Sequence, residues 1–157
     1  MKRYGTITTI LSFLALLMTY SESTSPSTAD SETTRQVMTR YLESNHSDLS
    51  MMAEDVVFTN MATGEQHHGP EEVRNMLNFV YHVAFDAHAE TRNLIVEGNK
   101  AVLEANFVGK HIGEFAGMPA TNKDVRVPLC VVYELEGDEI VSGRIYFEVP
   151  ALMAQLQ

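Results

Sequence analysis

Three side chains near the C-terminus are placed to do acid/base chemistry on a bound ligand. The segment RIYFEVPALMAQLQ (144–157) alternates polar and apolar residues before a proline, which predicts a strand followed by a short helix. Because alternate residues of a strand share a face, Arg144, Tyr146 and Glu148 point one way and the apolar residues between them point the other. We interpret the polar set as a pocket wall, with Glu148 as acid/base and Arg144 and Tyr146 as substrate-binding residues.

Glu148 also has a purely structural interpretation. A carboxylate next to the start of a helix is favoured by the helix dipole. A carboxylate that abstracts a proton beside a carbonyl must instead be held close to that carbon in a poorly hydrated site. The residues alone leave both interpretations open.

A second candidate lies in the segment GKHIG (109–113). Its histidine, His111, is in strand phase with Phe107. We predict that His111 assists catalysis by hydrogen-bonding the ligand or Glu148, and that Phe107 contacts the ligand. A half-buried histidine at a strand end is the structural alternative.

Other reactive residue types do not form a recognisable site. His67 and His68 are adjacent in a turn-rich stretch without an H-E-x-x-H spacing, so we predict a solvated loop and no metal site. The segment 82–88, with two histidines and an aspartate, is predicted to be a helix end. Cys130 is the only cysteine and lies in an apolar run, where a buried, unreactive thiol is expected.

Hydrophobic periodicity predicts the elements that carry these residues. Apolar residues at helical spacing predict one helix from Glu32 to about Asn45 and another from Pro70 to about Phe85. A short helix at 49–53 and a strand at 56–60 lie between them. Long strands are predicted at 88–97, 100–112, 124–135 and 139–148, and the turns EGNK and EGDE join two pairs of them. The order predicts an α+β domain, in which the N-terminal helices pack on a cone-shaped, curved antiparallel sheet and enclose a pocket.

The N-terminus reads as a targeting segment. Two basic residues precede a short apolar run, and a Ser/Thr-rich stretch follows, the order of a secretory signal. We therefore predict a signal peptide at 1–22, a disordered linker at 23–33 and one domain at 34–157. We therefore also predict that the protein is secreted or periplasmic, and the alternative is that the N-terminal segment is retained as a membrane anchor.

Charge narrows the choice of partners. The formal net charge is -10, and nucleic-acid binding depends on Lys and Arg that neutralise phosphates. We expect no nucleic-acid partner.

Two stretches, GKHIGEFAGMPATNKDVRVP (109–128) and IVSGRIYFEVPALMAQL (140–156), resemble the SnoaL-like polyketide cyclase family of the nuclear-transport-factor-2-like superfamily. Members tend to carry G-x-H-x-G-x-F-x-G-x-P-x-T-G-x-x-V and then R-x-Y-F-D-x-x-x-L-x-x-Q-L-G. The resemblance implies a cone-shaped α+β barrel, usually dimeric or higher, without a cofactor. It also implies an intramolecular aldol ring closure of a polyketide ester, with an aspartate as acid/base at the position of Glu148.

The chain departs from the family pattern at two places. Asn122 stands where the pattern has Gly, a mild change because Asn also adopts left-handed backbone. Glu148 stands where the pattern has Asp, and an error of about 1 Å in a catalytic group can cost roughly a hundredfold in rate. This change argues for altered or lost cyclase activity.

Three functional hypotheses follow. The first is a protein that binds a small, apolar carbonyl compound, with acid/base-catalysed cyclisation or isomerisation. The second is a non-catalytic ligand-binding or dimerisation module on the same fold. The third is epoxide or isomerase chemistry, which requires further carboxylates in the pocket. Asp55 and Glu104 are the candidates.

Overall fold

The computed structural model describes residues 28–157, which form three α-helices and one six-stranded sheet. The predicted signal peptide lies outside the described residues, so export stays a prediction. The helices are α1 (Thr28–Glu43), α2 (Gly69–Asn78) and α3 (Val149–Leu156), and the strands are β1 (Met52–Asn60), β2 (Gln66–His68), β3 (Phe85–Glu97), β4 (Lys100–His111), β5 (Asp124–Glu136) and β6 (Glu139–Phe147). None of the helices within this described part is long and apolar enough to cross a membrane.

The sheet is curved, unclosed and mixed. Its strand order is β2-β1-β6-β5-β4-β3, and all neighbours are antiparallel except β1 and β6, which run parallel. The α+β prediction is confirmed, and its all-antiparallel description is corrected at this pair. The two strands lie far apart in the sequence, and such a non-local contact leaves no signal in local periodicity.

Two predicted turns close hairpins of the long strands. Gly98 and Asn99 connect β3 to β4, and Gly137 and Asp138 connect β5 to β6. Both glycines have positive φ, 57° and 61°, which glycine adopts without the cost of a Cβ atom. Local sequence is therefore sufficient to set these two connections.

Helices cover one face of the sheet and bury its apolar residues. One core cluster joins α1 and α2 to the central strands, and includes Met38, Tyr41, Phe58, Val73, Leu103 and Tyr133. A second cluster joins α3 to β4 and β5, and includes Phe85, Phe107, Val127, Leu152 and Leu156. The sheet therefore has an inner face that the helices cover and an outer face that they leave exposed.

Several predicted boundaries differ from the structure. Helix α1 begins at Thr28, inside the stretch 23–33 that its composition predicts to be a disordered linker. His67 and His68 lie on the short edge strand β2 rather than in a loop. Asp86 and His88 lie on β3 rather than at a helix end. For β2 and β3, pairing with β1 and β4 outweighs the local preference for irregular structure.

The helical stretch that begins with α2 changes its hydrogen bonding before it ends. Residues Phe79–Ala84 form a π-helical segment between α2 and β3. Such segments are rare and occur frequently at functional sites. Three consecutive residues of this segment, Phe79, Val80 and Tyr81, line the largest cavity described below.

Candidate functional site

A cavity of about 610 Å³ lies between the inner face of the sheet and the helical residues 76–81; we call it the inner cavity. Its wall is mainly aliphatic and aromatic, and includes Phe58, Leu103, Phe107, Leu129, Ile145 and Phe147. Its volume falls within the range of about 300 to 1,000 Å³ that is usual for small-molecule sites. The inner cavity therefore suits a small and largely apolar molecule.

The alternation predicted for β6 directs its apolar side chains towards this cavity. Ile145 pairs with Val131 and Phe147 with Leu129 across β5 and β6, and all four residues line the inner cavity. The intervening polar residues of β6 consequently face the other side of the sheet.

Tyr146 and Glu148 line a second space, a groove of about 440 Å³, which we call the outer groove. Leu129 and Phe147 line both the outer groove and the inner cavity. Glu148 is exposed, and Tyr146 retains 46% of its accessible surface. Strand phase thus groups the two residues as predicted, but the space that they share is the outer groove. Glu148 also occupies the N-cap of α3, and its side chain makes no capping hydrogen bond.

Arg144 is engaged with another strand. Its Nη1 donates a 2.8 Å hydrogen bond to Oε1 of Glu134, and this bond holds the pKa of the Glu134 carboxyl below its ordinary value. Lys100 lies 3.8 Å from the same carboxylate oxygen. The guanidinium is therefore already paired on the outer face.

His111 is fully buried on the inner side of β4. Its Nδ1 accepts a 3.2 Å hydrogen bond from the backbone N–H of Thr121 and lies 3.1 Å from the Thr121 hydroxyl. Its ring lies 4.9 Å from that of Phe85, and its Nε2 has no partner among the described residues. His111 therefore holds the loop after β4, and it lines neither the inner cavity nor the outer groove.

The predicted pair of catalytic residues is not brought together. His111 is in phase with Phe107, which faces the inner cavity, whereas Glu148 opens into the outer groove. His111 and Glu148 do not hydrogen-bond each other, because His111 is engaged with Thr121 and Glu148 opens into the outer groove; a hydrogen bond from His111 to a ligand stays a prediction. Of the predicted site residues, Phe107 alone lines the inner cavity; the functional roles of all five stay predictions.

Sequence reasoning missed the polar groups of the inner cavity wall. His46 is 9% exposed and lines the cavity, with its ring stacked on Tyr81 at 5.5 Å and edge-on to Tyr41 at 5.1 Å. Burial lowers the pKa of His46 to about 4 and raises the pKa of Tyr81 to about 12. Both side chains are therefore uncharged at neutral pH.

The backbone conformation explains why the sequence pattern does not predict an inward-facing His46. Asn45 and His46 have φ values of 52° and 63°, so the chain reverses immediately after α1. The N–H of His46 donates to the carbonyl of Tyr41 at 3.3 Å, which closes the turn. The polar stretch after α1 indicates a turn, but only the left-handed backbone directs the imidazole inwards.

Fold and site together define an α+β protein with a ligand-sized cavity between helices and a curved sheet. The family model for the SnoaL-like polyketide cyclase matches residues 35–156. The chain belongs to the SnoaL-like polyketide cyclase family. No curated protein matches the chain.

Solved structures with the same fold are distant in sequence. A protein classed as a SnoaL-like polyketide cyclase from Jannaschia sp. CCS1 has a TM-score of 0.75 at 16% identity, over 83% of this chain and 95% of that one. A protein classed as a polyketide cyclase from Silicibacter sp. TM1040 has a TM-score of 0.71 at 17% identity, over 80% and 96%. A protein with a ketosteroid isomerase-like fold from Catenulispora acidiphila, solved with trimethylamine, has a TM-score of 0.64 at 18% identity, over 76% and 91%.

Proposed function

We propose that this protein binds a small, predominantly apolar carbonyl compound in the inner cavity. The observation that carries the proposal is the cavity itself, about 610 Å³ with an aliphatic and aromatic wall. Burial of apolar ligand surface contributes roughly 25 cal/mol per Å², and such a wall provides it. The structure from Catenulispora acidiphila, which contains trimethylamine, gives a precedent for a small molecule on this fold.

Ligand binding without Glu148-dependent catalysis is the function that the geometry supports best. A base for carbon acids works in a poorly hydrated site, whereas Glu148 is exposed. Arg144 is paired with Glu134 rather than free to hold a ligand anion. The further carboxylates of the third hypothesis, Asp55 and Glu104, are also exposed.

Acid/base cyclisation or isomerisation is retained as the second candidate function, since Tyr146 and Glu148 share the outer groove. It requires the ligand to bind on that face. An experiment that identifies the binding face therefore decides between the two candidates.

Two neighbouring tryptophan substitutions on β6 make this test. The chain has no tryptophan, so the fluorescence of each introduced tryptophan reports on one site alone. Ile145→Trp fills part of the inner cavity, and Tyr146→Trp is the matched control in the outer groove. The ligand is Nile red, an uncharged and largely apolar carbonyl dye whose emission rises in apolar surroundings.

We expect Ile145→Trp to weaken dye binding at least tenfold and Tyr146→Trp to leave it unchanged. Circular dichroism and thermal unfolding verify that both variants fold. The opposite pattern would move the site to the outer groove and favour catalysis involving Glu148. Loss of turnover in Glu148→Gln, for any substrate that the protein converts, would then support the catalytic role.

Self-association is a separate proposal. We expect a homodimer, and sedimentation equilibrium of the domain measures it directly. A monomer at all accessible concentrations would contradict this expectation.

A further inference from the structure

The inner cavity contains a group of polar aromatic residues in an otherwise apolar wall. His46, Tyr81 and Tyr133 all line the cavity, and we call them the polar subsite. His46 stacks on Tyr81 with an interplanar angle of 27°. The ring of Tyr133 lies edge-on to that of Tyr41 at 6.0 Å, and Tyr41 in turn contacts His46.

The hydrogen-bonding capacity next to this group is not used up by the protein. The hydroxyl of Tyr41 is fully buried and has no partner among the described residues. Its ring lies 5.1 Å from His46 and 6.0 Å from Tyr133. Tyr41 does not itself line the cavity, so its hydroxyl is not counted as a ligand contact. The hydroxyls of Tyr81 and Tyr133, which do line it, make no hydrogen bond among the described residues, and buried polar atoms are almost always paired.

The charges around the cavity restrict what that group can be. Within the described wall there is no lysine or arginine, and its one carboxylate belongs to Glu65, which is exposed. The remaining titratable group outside the subsite is His67, whose Nε2 lies 3.9 Å from Oε1 of Glu65. A charged ligand group placed beside His46 and Tyr81 would have no counter-ion, and burial of an unpaired charge is costly. A neutral oxygen can accept from a phenol and exchange a hydrogen bond with imidazole.

We infer that the polar subsite hydrogen-bonds an uncharged oxygen, a ketone or hydroxyl, at one end of an apolar ligand. The inference rests on the proposed use of the inner cavity and specifies which end of the ligand enters it. Burial keeps the imidazole of His46 deprotonated and weakly basic. A general base works best with a pKa near the operating pH, so His46 is poorly suited to that role. The subsite therefore orients the ligand and is not assigned the role of proton acceptor from carbon.

Three probes with the same ring system test this assignment. Acetylnaphthalene carries a neutral ketone, ethylnaphthalene is its hydrocarbon counterpart, and naphthoate is an anion of similar size. Calorimetric or fluorescence titration should show the ketone binding about three- to tenfold more tightly than the hydrocarbon, the difference that one neutral hydrogen bond supplies. Naphthoate should bind most weakly.

Matched variants locate the effect. Tyr81→Phe removes one subsite hydroxyl and should reduce ketone affinity about threefold or more, with hydrocarbon affinity unchanged or higher. His82→Asn changes an exposed histidine that lines neither the inner cavity nor the outer groove, and it should change neither affinity. His46→Asn, at a position with φ of 63° that Asn tolerates, gives an independent second test.

The outcomes separate this inference from the proposed function. If the ketone and the hydrocarbon bind equally and Tyr81→Phe has no effect, the polar subsite is refuted while cavity binding stands. If naphthoate binds most tightly, the assignment to a neutral oxygen is wrong. If none of the probes binds to the folded protein, the cavity proposal fails and the subsite fails with it.

Discussion

Acidification should destabilise this protein through His46 before its carboxylates titrate. The ordinary pKa of 6.5 falls to about 4 in the folded chain because the imidazole is buried, and only 9% of the residue is exposed. Between these values the unfolded chain binds a proton that the folded chain does not, so stability must fall as pH falls. Above the unfolded value both states are neutral and the contribution disappears.

The magnitude follows from the two pKa values. The difference between 6.5 and about 4, at about 1.4 kcal/mol per pH unit, amounts to roughly 3 kcal/mol of unfolding free energy. About 2 kcal/mol of this should be lost between pH ~7 and pH ~5. The depressed pKa values of Glu90 and Glu134 act in a lower window, because their stabilisation is lost only as pH falls below their ordinary range.

Urea unfolding at several pH values measures the effect. With a typical slope of about 2 kcal/mol per molar urea, the midpoint should fall by roughly 1 M between pH ~7 and pH ~5. His46→Asn removes the titrating group and should flatten this dependence, whatever its effect on absolute stability. His82→Asn, at an exposed histidine, should retain it. A wild-type midpoint that is constant over this range, or a His46→Asn variant with the wild-type slope, would refute the reasoning.

Three further substitutions test packing and pairing. Gly113→Ala should lower the unfolding free energy by about 1–3 kcal/mol, because the added Cβ would collide with the backbone carbonyl of Val83. Thermal unfolding measures this loss of stability, and an unchanged midpoint would contradict the close approach. Arg144→Gln should raise the pKa of Glu134, because the Glu134 carboxyl accepts a 2.8 Å hydrogen bond from Arg144. It should lower the unfolding free energy by no more than about 1 kcal/mol, because the pair is partly exposed. Carboxyl NMR measures the pKa and urea unfolding the stability, and an unchanged pKa would exclude the pair in solution. Tyr41→Phe should leave the stability of the ligand-free protein unchanged or raise it, since the hydroxyl has no partner among the described residues; a loss above about 1 kcal/mol would reveal a partner.

Much of the fold could be predicted because its signals are local. Alternating residues predict the four long strands, and the segments EGNK and EGDE predict the turns that join them. Pro70 predicts the start of the second helix, which begins at Gly69. The motifs around His111 and Glu148 indicate the family, and the family model match at residues 35–156 confirms it.

The site depends on contacts that local signals do not contain. Strand phase correctly separates Ile145 and Phe147 from Tyr146 and Glu148, but phase does not say which face the helices cover. The packing of α1 and α2 determines which face is covered, and as a result the inner cavity lies on the apolar face of β6.

Local sequence was therefore enough to predict the four long strands, the two hairpin turns and the family, and to group the residues of β6 into two faces. The position of Glu148 in the outer groove and of His46 in the inner cavity depends on how the helices pack on the sheet. The physical reason is that secondary structure follows from neighbours in the chain. A side chain's burial, and with it the low pKa of His46, follows from residues far away in sequence.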